Sequence, residues 1–208
     1  MLVGGAGDDV LSADSTLTLP LTLRGGAGND TLTGGDGSCV LVGGAGNDSI
    51  TGGDGVSLLV PGAREVFGDV PTGDDTLAGG SGTSYADFSH RTDNLFLSND
   101  GLPDSGDTAA GEGTEIESSV KNIFGGTGQD TIVSTTAGSF LSAGYGSSAV
   151  ASGGANTVLV AGPDGAGADS VTACGDSNVL FLANDHADTY GGTVTDDLVQ
   201  SDSSDLLT

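Results

Sequence analysis

A tandem duplication narrows what this chain can fold into more than any other feature. Residues 25–42 read GGAGNDTLTGGDGSCVLV and residues 43–60 read GGAGNDSITGGDGVSLLV, identical at 13 of 18 positions. Each unit divides into two nonapeptides of the form G-G-x-G-x-D-x-U-x, where U is a large aliphatic. Intact copies are Gly4–Ser12, Gly25–Thr33, Gly43–Thr51 and Gly125–Val133. Weaker copies lie at Thr72–Ala78 and Asp164–Thr172, and two late ones carry Asp188 and Asp197. Self-similarity at so short a period means a solenoid, in which each unit buries its apolar side chain against the next copy. Glycine at three positions permits positive φ and close approach of the backbone to an ion. The x-U-x triplet sends one side chain inward and two outward, which is the period of a strand. Inward candidates are Leu11, Leu32, Leu41, Ile50, Leu59, Leu77, Ile132, Val171 and Leu180.

Charge decides what such a solenoid needs. The 208 residues include 25 Asp and 4 Glu, balanced only by Arg24, Arg64, Arg91 and Lys121, for a net charge of −25. Nucleic acid, heparin-like polymers and anionic membrane are excluded as partners because each would be repelled. High charge with few aromatics signals disorder, but here the 36% of hydrophobic residues are regularly spaced. One aliphatic per nine residues is a thin core, set against a backbone-ordering cost of about 1–2 kcal/mol per residue. Asp in place of Glu suits a short carboxylate held inside a tight glycine-rich turn. The chain is expected to need cations to become compact.

With four intact motifs, two of them in an 18-residue frame, the chain resembles the hemolysin-type (RTX) calcium-binding repeat family. The resemblance implies an all-β fold, a parallel β-roll (β-solenoid). Each nonapeptide makes half a coil: a glycine-rich turn that holds Ca²⁺, then a short strand. Carried over motif by motif, the expected metal positions are Gly5, Gly7 and Asp9; Gly26, Gly28 and Asp30; and Gly44, Gly46 and Asp48. The later turns add Asp75; Gly126, Gly128 and Asp130; Asp169; and Asp188. Ca²⁺ takes six to eight oxygens at about 2.3–2.6 Å, and two stacked turns supply two carboxylates plus glycine carbonyls. His90 and His186 are isolated in sequence and read as surface residues, so thiolate- or imidazole-seeking metals find no cluster. The sixth position alternates Asp30, Cys39, Asp48, Ser57. Successive half-coils fall on opposite edges, which predicts one strong calcium edge and one weak edge, with Asp36 and Asp54 off the motif.

The organisation is one continuous solenoid domain with an inserted loop/strand module: repeats over 1–85, an acidic insert over 86–124, and more degenerate repeats over 125–208. The run from Ala86 to Asp130 resembles an insert of some hemolysin-type proteins, with a D-Y-S-x-R-T start, an N-D-G…G-E-G loop and a V-E-N strand. Phe88 stands where that pattern has tyrosine, and Lys121 where it has glutamate. Leu95 and Leu97 alternate as in a strand, and Asp100, Asp104, Asp107 and Glu112 then crowd one loop. That loop is either a solvated acidic surface or a further calcium site using Asp100, Asp104 and Glu112. Over Ala13–Arg24, the alternation of Leu17, Leu19, Leu21 and Leu23 predicts a longer strand, and Pro61–Asp69 a bulging connection.

Function follows from what is present. The chain has no H-E-x-x-H or G-x-S-x-G motif, its glycine-rich turns lack the lysine of a phosphate loop, and the repeat accounts for its paired carboxylates, so no enzymatic activity is expected. No stretch reaches the roughly 18 apolar residues of a membrane span, so membrane insertion is not expected. Met1–Gly5 has neither a basic region nor an apolar core, so no signal peptide is expected. Cys39 and Cys174 are too far apart along the roll for an internal disulfide; Cys39 reads as a buried hydrophobe or free thiol, with an intermolecular bond as the alternative. Two functions remain. One is an extracellular, calcium-folded structural protein that stacks head to tail into a homopolymer, as a filament or surface layer. The other is a secretion and folding module of a larger type I-secreted adhesin, toxin or enzyme.

Overall fold

The computed structural model describes residues 1–62, 73–162, 168–175, 177–182, 188–192, 198–200 and 206–207. It is built of short strands, with no helix among the described residues. In chain order they are β1 (Leu2–Ala6), β2 (Val10–Ser12), β3 (Leu21–Ala27), β4 (Thr31–Thr33), β5 (Cys39–Ala45), β6 (Ser49–Thr51), β7 (Val56–Val60) and β8 (Thr76–Ala78). There follow β9 (Thr83–Asp87), β10 (Phe96–Ser98), β11 (Pro103–Ser105), β12 (Thr114–Ile116), β13 (Asn122–Phe124), β14 (Thr131–Ser134) and β15 (Phe140–Ser142). The last are β16 (Ala149–Ser152), β17 (Val158–Val160), β18 (Ser170–Ala173), β19 (Val179–Phe181), β20 (Thr189–Gly192), β21 (Leu198–Gln200) and β22 (Leu206–Leu207).

The chain alternates between two faces. One face is a single ten-stranded parallel sheet, β1-β3-β5-β7-β9-β13-β15-β17-β19-β21. The other is divided between two six-stranded sheets, β11-β12-β8-β6-β4-β2 and β10-β14-β16-β18-β20-β22. The fold is thus the parallel β-roll expected from the repeat.

Register explains the core. Leu23, Leu41, Leu59, Ala86, Ile123, Leu141, Leu159 and Leu180 are paired from strand to strand in one unbroken inward column. On the opposite face Leu11, Leu32, Ile50, Leu77 and Ile116 form a second column. Leu97, Ile132, Val150, Val171 and Tyr190 form a third. All nine inward candidates named from the sequence are buried.

Two expectations change. The strand predicted to start near Leu17 begins at Leu21. Asp14 accepts the Thr16 amide (2.8 Å) in a turn, and Pro20 has no N–H to give a ladder, so Leu19 stays 67% exposed. His90 is buried, not on the surface. Within the acidic insert, β10 pairs in parallel with β14, β12 pairs in parallel with β8, and β11 pairs antiparallel with β12. Both ends of the insert therefore keep the frame of the roll, and only the segment between them departs from it. The Pro61–Asp69 connection lies mostly outside the described residues, as do His186 and the late copy at Asp197.

Two substitutions test this layout. Ile50→Ala should cost about 2–5 kcal/mol, measured by thermal unfolding in excess calcium, because its column cannot close around the gap. Leu19→Ala should stay within about 0.5 kcal/mol. A loss at Leu19 comparable with that at Ile50 would show that the strand does extend back to residue 17.

Candidate metal centre

The turns that lead into β2, β4, β6 and β8 stack on one edge, and their sixth-position aspartates form a ladder. The Asp9 amide donates to Asp30 Oδ1 (2.8 Å), that of Asp30 to Asp48 Oδ1 (2.8 Å), and that of Asp48 to Asp75 Oδ1 (2.7 Å). Asp30, Asp48 and Asp75 are almost fully buried. A second ladder runs beside it in the opposite sense at the fifth position. The Asn29 amide donates to Asp8 Oδ1 (2.8 Å), that of Asn47 to Asn29 Oδ1 (2.9 Å), and that of Asp74 to Asn47 Oδ1 (3.2 Å). Sequence reasoning missed these residues, although the fifth position is Asn or Asp in every copy on this edge upstream of residue 80.

The ladder uses only one oxygen of each carboxylate. Oδ2 of Asp9, Asp30 and Asp48 is buried and accepts no hydrogen bond. A buried anionic oxygen left so costs several kcal/mol unless a cation meets it. The first glycine of each motif lies directly under it: a Cβ at Gly4, Gly25 or Gly43 would collide with Oδ2 of Asp9, Asp30 or Asp48. The glycines at the second and fourth positions adopt φ of +122° and +100° (Gly5, Gly7), +124° and +131° (Gly26, Gly28), and +124° and +119° (Gly44, Gly46). That region belongs to glycine. No group of three or more His, Cys, Asp or Glu side chains converges among the described residues. A hard cation here would be held by stacked carboxylate pairs completed by backbone carbonyls, a donor set that suits Ca²⁺.

The opposite edge is chemically different. Cys39 is buried, with its thiol donating to the Gly37 carbonyl (3.5 Å), and Ser57 Oγ accepts the Gly53 amide (3.2 Å). None of Gly34, Gly35, Gly37, Gly52, Gly53 and Gly55 takes positive φ. Asp54 lies off the stack and accepts the Ser81 hydroxyl. Both cysteines are free thiols.

The fourth intact motif behaves unlike the first three. Gly126 and Gly128 lack positive φ, and both oxygens of Asp130 are used. Oδ1 accepts the Leu95 amide (2.9 Å) and Oδ2 the Gly126 amide (2.6 Å). Asp169 repeats this, with Oδ1 accepting from Ser148 (2.7 Å) and Oδ2 from Gly162 (2.7 Å). Asp188 Oδ1 accepts the Asp169 amide (2.7 Å). Cross-coil bonding also changes: upstream, the Gly7 and Gly28 amides donate forward to the Ala27 and Ala45 carbonyls, whereas downstream Thr127 and Tyr145 donate backward to Arg91 and Gly126.

The acidic loop does not bring its three candidates together. Glu112 pairs with Arg91 through Oε1–Nη1 and Oε2–Nη2 contacts of 3.0 Å each. Asp100 accepts the Leu102 amide (3.0 Å), and Asp107 caps Ala109 (2.9 Å) and Ala110 (3.2 Å). Asp104 has its carboxyl raised above the ordinary range by burial and by the neighbouring Asp100 charge.

Compared with known proteins, the RTX calcium-binding nonapeptide repeat family matches in four copies, at residues 1–15, 22–38, 40–56 and 72–85. These residues contain the upstream turns just described, and the cofactor of the repeats is Ca²⁺. No curated protein and no solved structure matches the chain.

Metal and proton compete for the same oxygens. Burial, helped by the Asp30 charge, lifts the Asp48 carboxyl from an ordinary 3.8 to about 6. Because this folded value lies above the unfolded one, protonation favours the metal-free fold. The penalty is full above pH 6 and fades as pH falls toward 4. Metal-free protein should therefore gain stability on acidification from pH 7 to pH 5, and calcium binding at pH 5.5 should release protons. A calcium affinity that is constant between pH 5 and pH 7.5 would contradict this. Asp48→Ala should lower bound calcium and thermal stability together, while Ser57→Ala on the other edge should leave bound calcium unchanged. Equal calcium loss in both variants would mean that the edges are not distinct.

Proposed function

Given that this chain is built on RTX calcium-binding nonapeptide repeats, we propose that it is an extracellular structural protein that folds on calcium and stacks end to end. The observation that carries the calcium part is the row of buried, hydrogen-bond-free Oδ2 atoms on Asp9, Asp30 and Asp48. Their mutual repulsion opposes folding in a calcium-poor cytosol, and outside the cell calcium binding becomes folding energy. The residues that would hold the ion are these aspartates, Asp75 and the carbonyls freed at the positive-φ glycines. The ion supplies the positive charge that the chain lacks; the chain's own part is to hold the carboxylates in register and keep water out. The reading assigns no catalytic step to these carboxylates.

The stacking part is supported by the first coil. Among the described residues β1 pairs only with β3, and β2 only with β4, so each offers an open strand edge there. Met1, Leu2, Val3 and Val10 are exposed beside it. Unpaired strand edges with apolar side chains invite another coil, and a second copy would supply one. The acidic sides disfavour lateral association, which leaves the ends as the favoured contact.

The same open edge favours a second reading, in which the coil that covers it belongs to a larger exported protein of which this roll is the folding module. The two separate in one experiment. Circular dichroism should show more strand in millimolar calcium than in EGTA under either reading, and an unchanged spectrum would refute both. Sedimentation in calcium should then show concentration-dependent linear assembly that Leu2→Lys abolishes without altering the spectrum. A monomer at high concentration would discard stacking and favour the module.

A further inference from the structure

The stack of turns on the carboxylate edge does not stop at the insert. A Cβ at Gly26 would strike the Gly5 carbonyl, one at Gly44 the Gly26 carbonyl, and one at Gly126 the Arg91 carbonyl. Likewise Gly128 abuts the Asp93 carbonyl as Gly46 abuts that of Gly28. Beyond the turn, Phe96, Leu97 and Ser98 pair with Thr131, Ile132 and Val133, and the Leu95 amide donates to Asp130 Oδ1. Residues 90–98, HRTDNLFLS, are thus a nonapeptide of the roll written in different letters. Arginine stands at the second position, aspartate at the fourth and leucine at the sixth.

The turn before it is also in frame. The Gly113 amide donates to Asp74 Oδ1 (2.8 Å), extending the fifth-position ladder, and Glu115 pairs with Thr76. Glu112 therefore belongs to the turn stacked on Asp75, and Arg91 to the turn stacked on Asp130. Between them the Arg91 guanidinium is buried and meets two carboxylates. It reaches Glu112 through both terminal nitrogens, and Asp93 through Nε (3.0 Å) and Nη2. Two carboxylates and one cation, shut away from water and shared between neighbouring turns, are the composition expected of a calcium site in this fold. Here the cation is covalently part of the chain.

We propose that Arg91 serves as the roll's own cation, offsetting one of the two carboxylate charges it meets where calcium would offset both upstream, and thereby ends the calcium-dependent stack at the insert. This rests on the reading of the upstream aspartates as calcium ligands. Beyond Arg91, amides of the chain already occupy both oxygens of Asp130 and Asp169. Gly126, Gly128, Asp130 and Asp169, expected from sequence to bind metal, then fall in a part of the roll where backbone amides already engage the carboxylate oxygens. Glu112 is likewise withdrawn from the candidate calcium site of the acidic loop.

Hydrogen exchange on the whole chain, resolved by mass spectrometry, tests the division. In EGTA, β2, β4, β6 and β8 should lose the protection they have in millimolar calcium, while β14 and β16 keep theirs. Loss of protection in all strands together would overturn the division and leave calcium-gated folding standing. Full protection everywhere in EGTA would overturn calcium gating and the proposal with it. Arg91→Ala probes the cation itself. In EGTA, exchange in β10 and β12 should accelerate at least about tenfold, because an unpaired buried carboxylate is worth more than that factor. Adding calcium should slow it again in β10, a response absent from β10 in the wild type. Acceleration that calcium leaves untouched, or no acceleration at all, would show that Arg91 does not stand in for the metal.

Discussion

Stacking identical turns brings identical charges together. Successive coils of a parallel roll are about 4.8 Å apart, and two unit charges at that spacing repel by about 3–4 kcal/mol at an effective dielectric constant near 20. With Asp9, Asp30, Asp48 and Asp75 in one column, an acidic repeat cannot lower this by rearranging side chains, because the register that aligns the aliphatic columns also aligns the carboxylates. Hydrogen bonding relieves half of the problem: each Oδ1 from Asp30 onward in that column takes an amide from the coil before it. The other oxygen is left for a cation. Core and carboxylate ladder are therefore one constraint, because a single register sets both.

Two edges built from near-identical glycine patterns do not behave alike, and the sixth residue is the reason. Where it is Asp, the first glycine must vacate room for Oδ2, and the second and fourth turn their carbonyls through positive φ. Where it is Cys39 or Ser57, a small buried side chain completes the turn with its own hydrogen bond, and the glycines stay at ordinary φ.

Much of this was legible in the residues. The 18-residue duplication specified the roll, and all nine aliphatics picked out by the x-U-x triplet point inward. The alternation of Asp30 and Asp48 with Cys39 and Ser57 distinguished the edges. What escaped was anything set by a neighbouring coil. Gly125–Asp130 has the full motif, yet its turn departs from the pattern because the turn beneath it carries Arg91 and Asp93 at the glycine positions, where positive φ is disfavoured. His90 looked exposed because residues 90–98 do not spell the motif, although they occupy its place. The leucines at 17 and 19 mimicked a strand whose start Pro20 sets.

A motif in a solenoid is thus a property of adjacent pairs of turns. A metal shared between coils needs the same backbone above and below, so one substituted turn disables the site on each of its sides. The insert shows how the roll tolerates this. It holds a buried salt bridge, with Arg91 drawn toward Glu112 and Asp93. Burial alone would lower the Arg91 pKa, but its hydrogen bonds to Asp93 and Glu112 outweigh that and raise it, while the same contacts hold the Asp93 carboxyl below its ordinary range despite burial. Beyond it the edge continues with Ser148 where an aspartate would recur, its hydroxyl accepting the Asp130 amide (3.1 Å). Removing one carboxylate from the column, and giving both oxygens of the next to backbone amides, lowers the charge that stacks along this edge. The aliphatic columns can then run on without interruption, and the strand register needs only the core to maintain it.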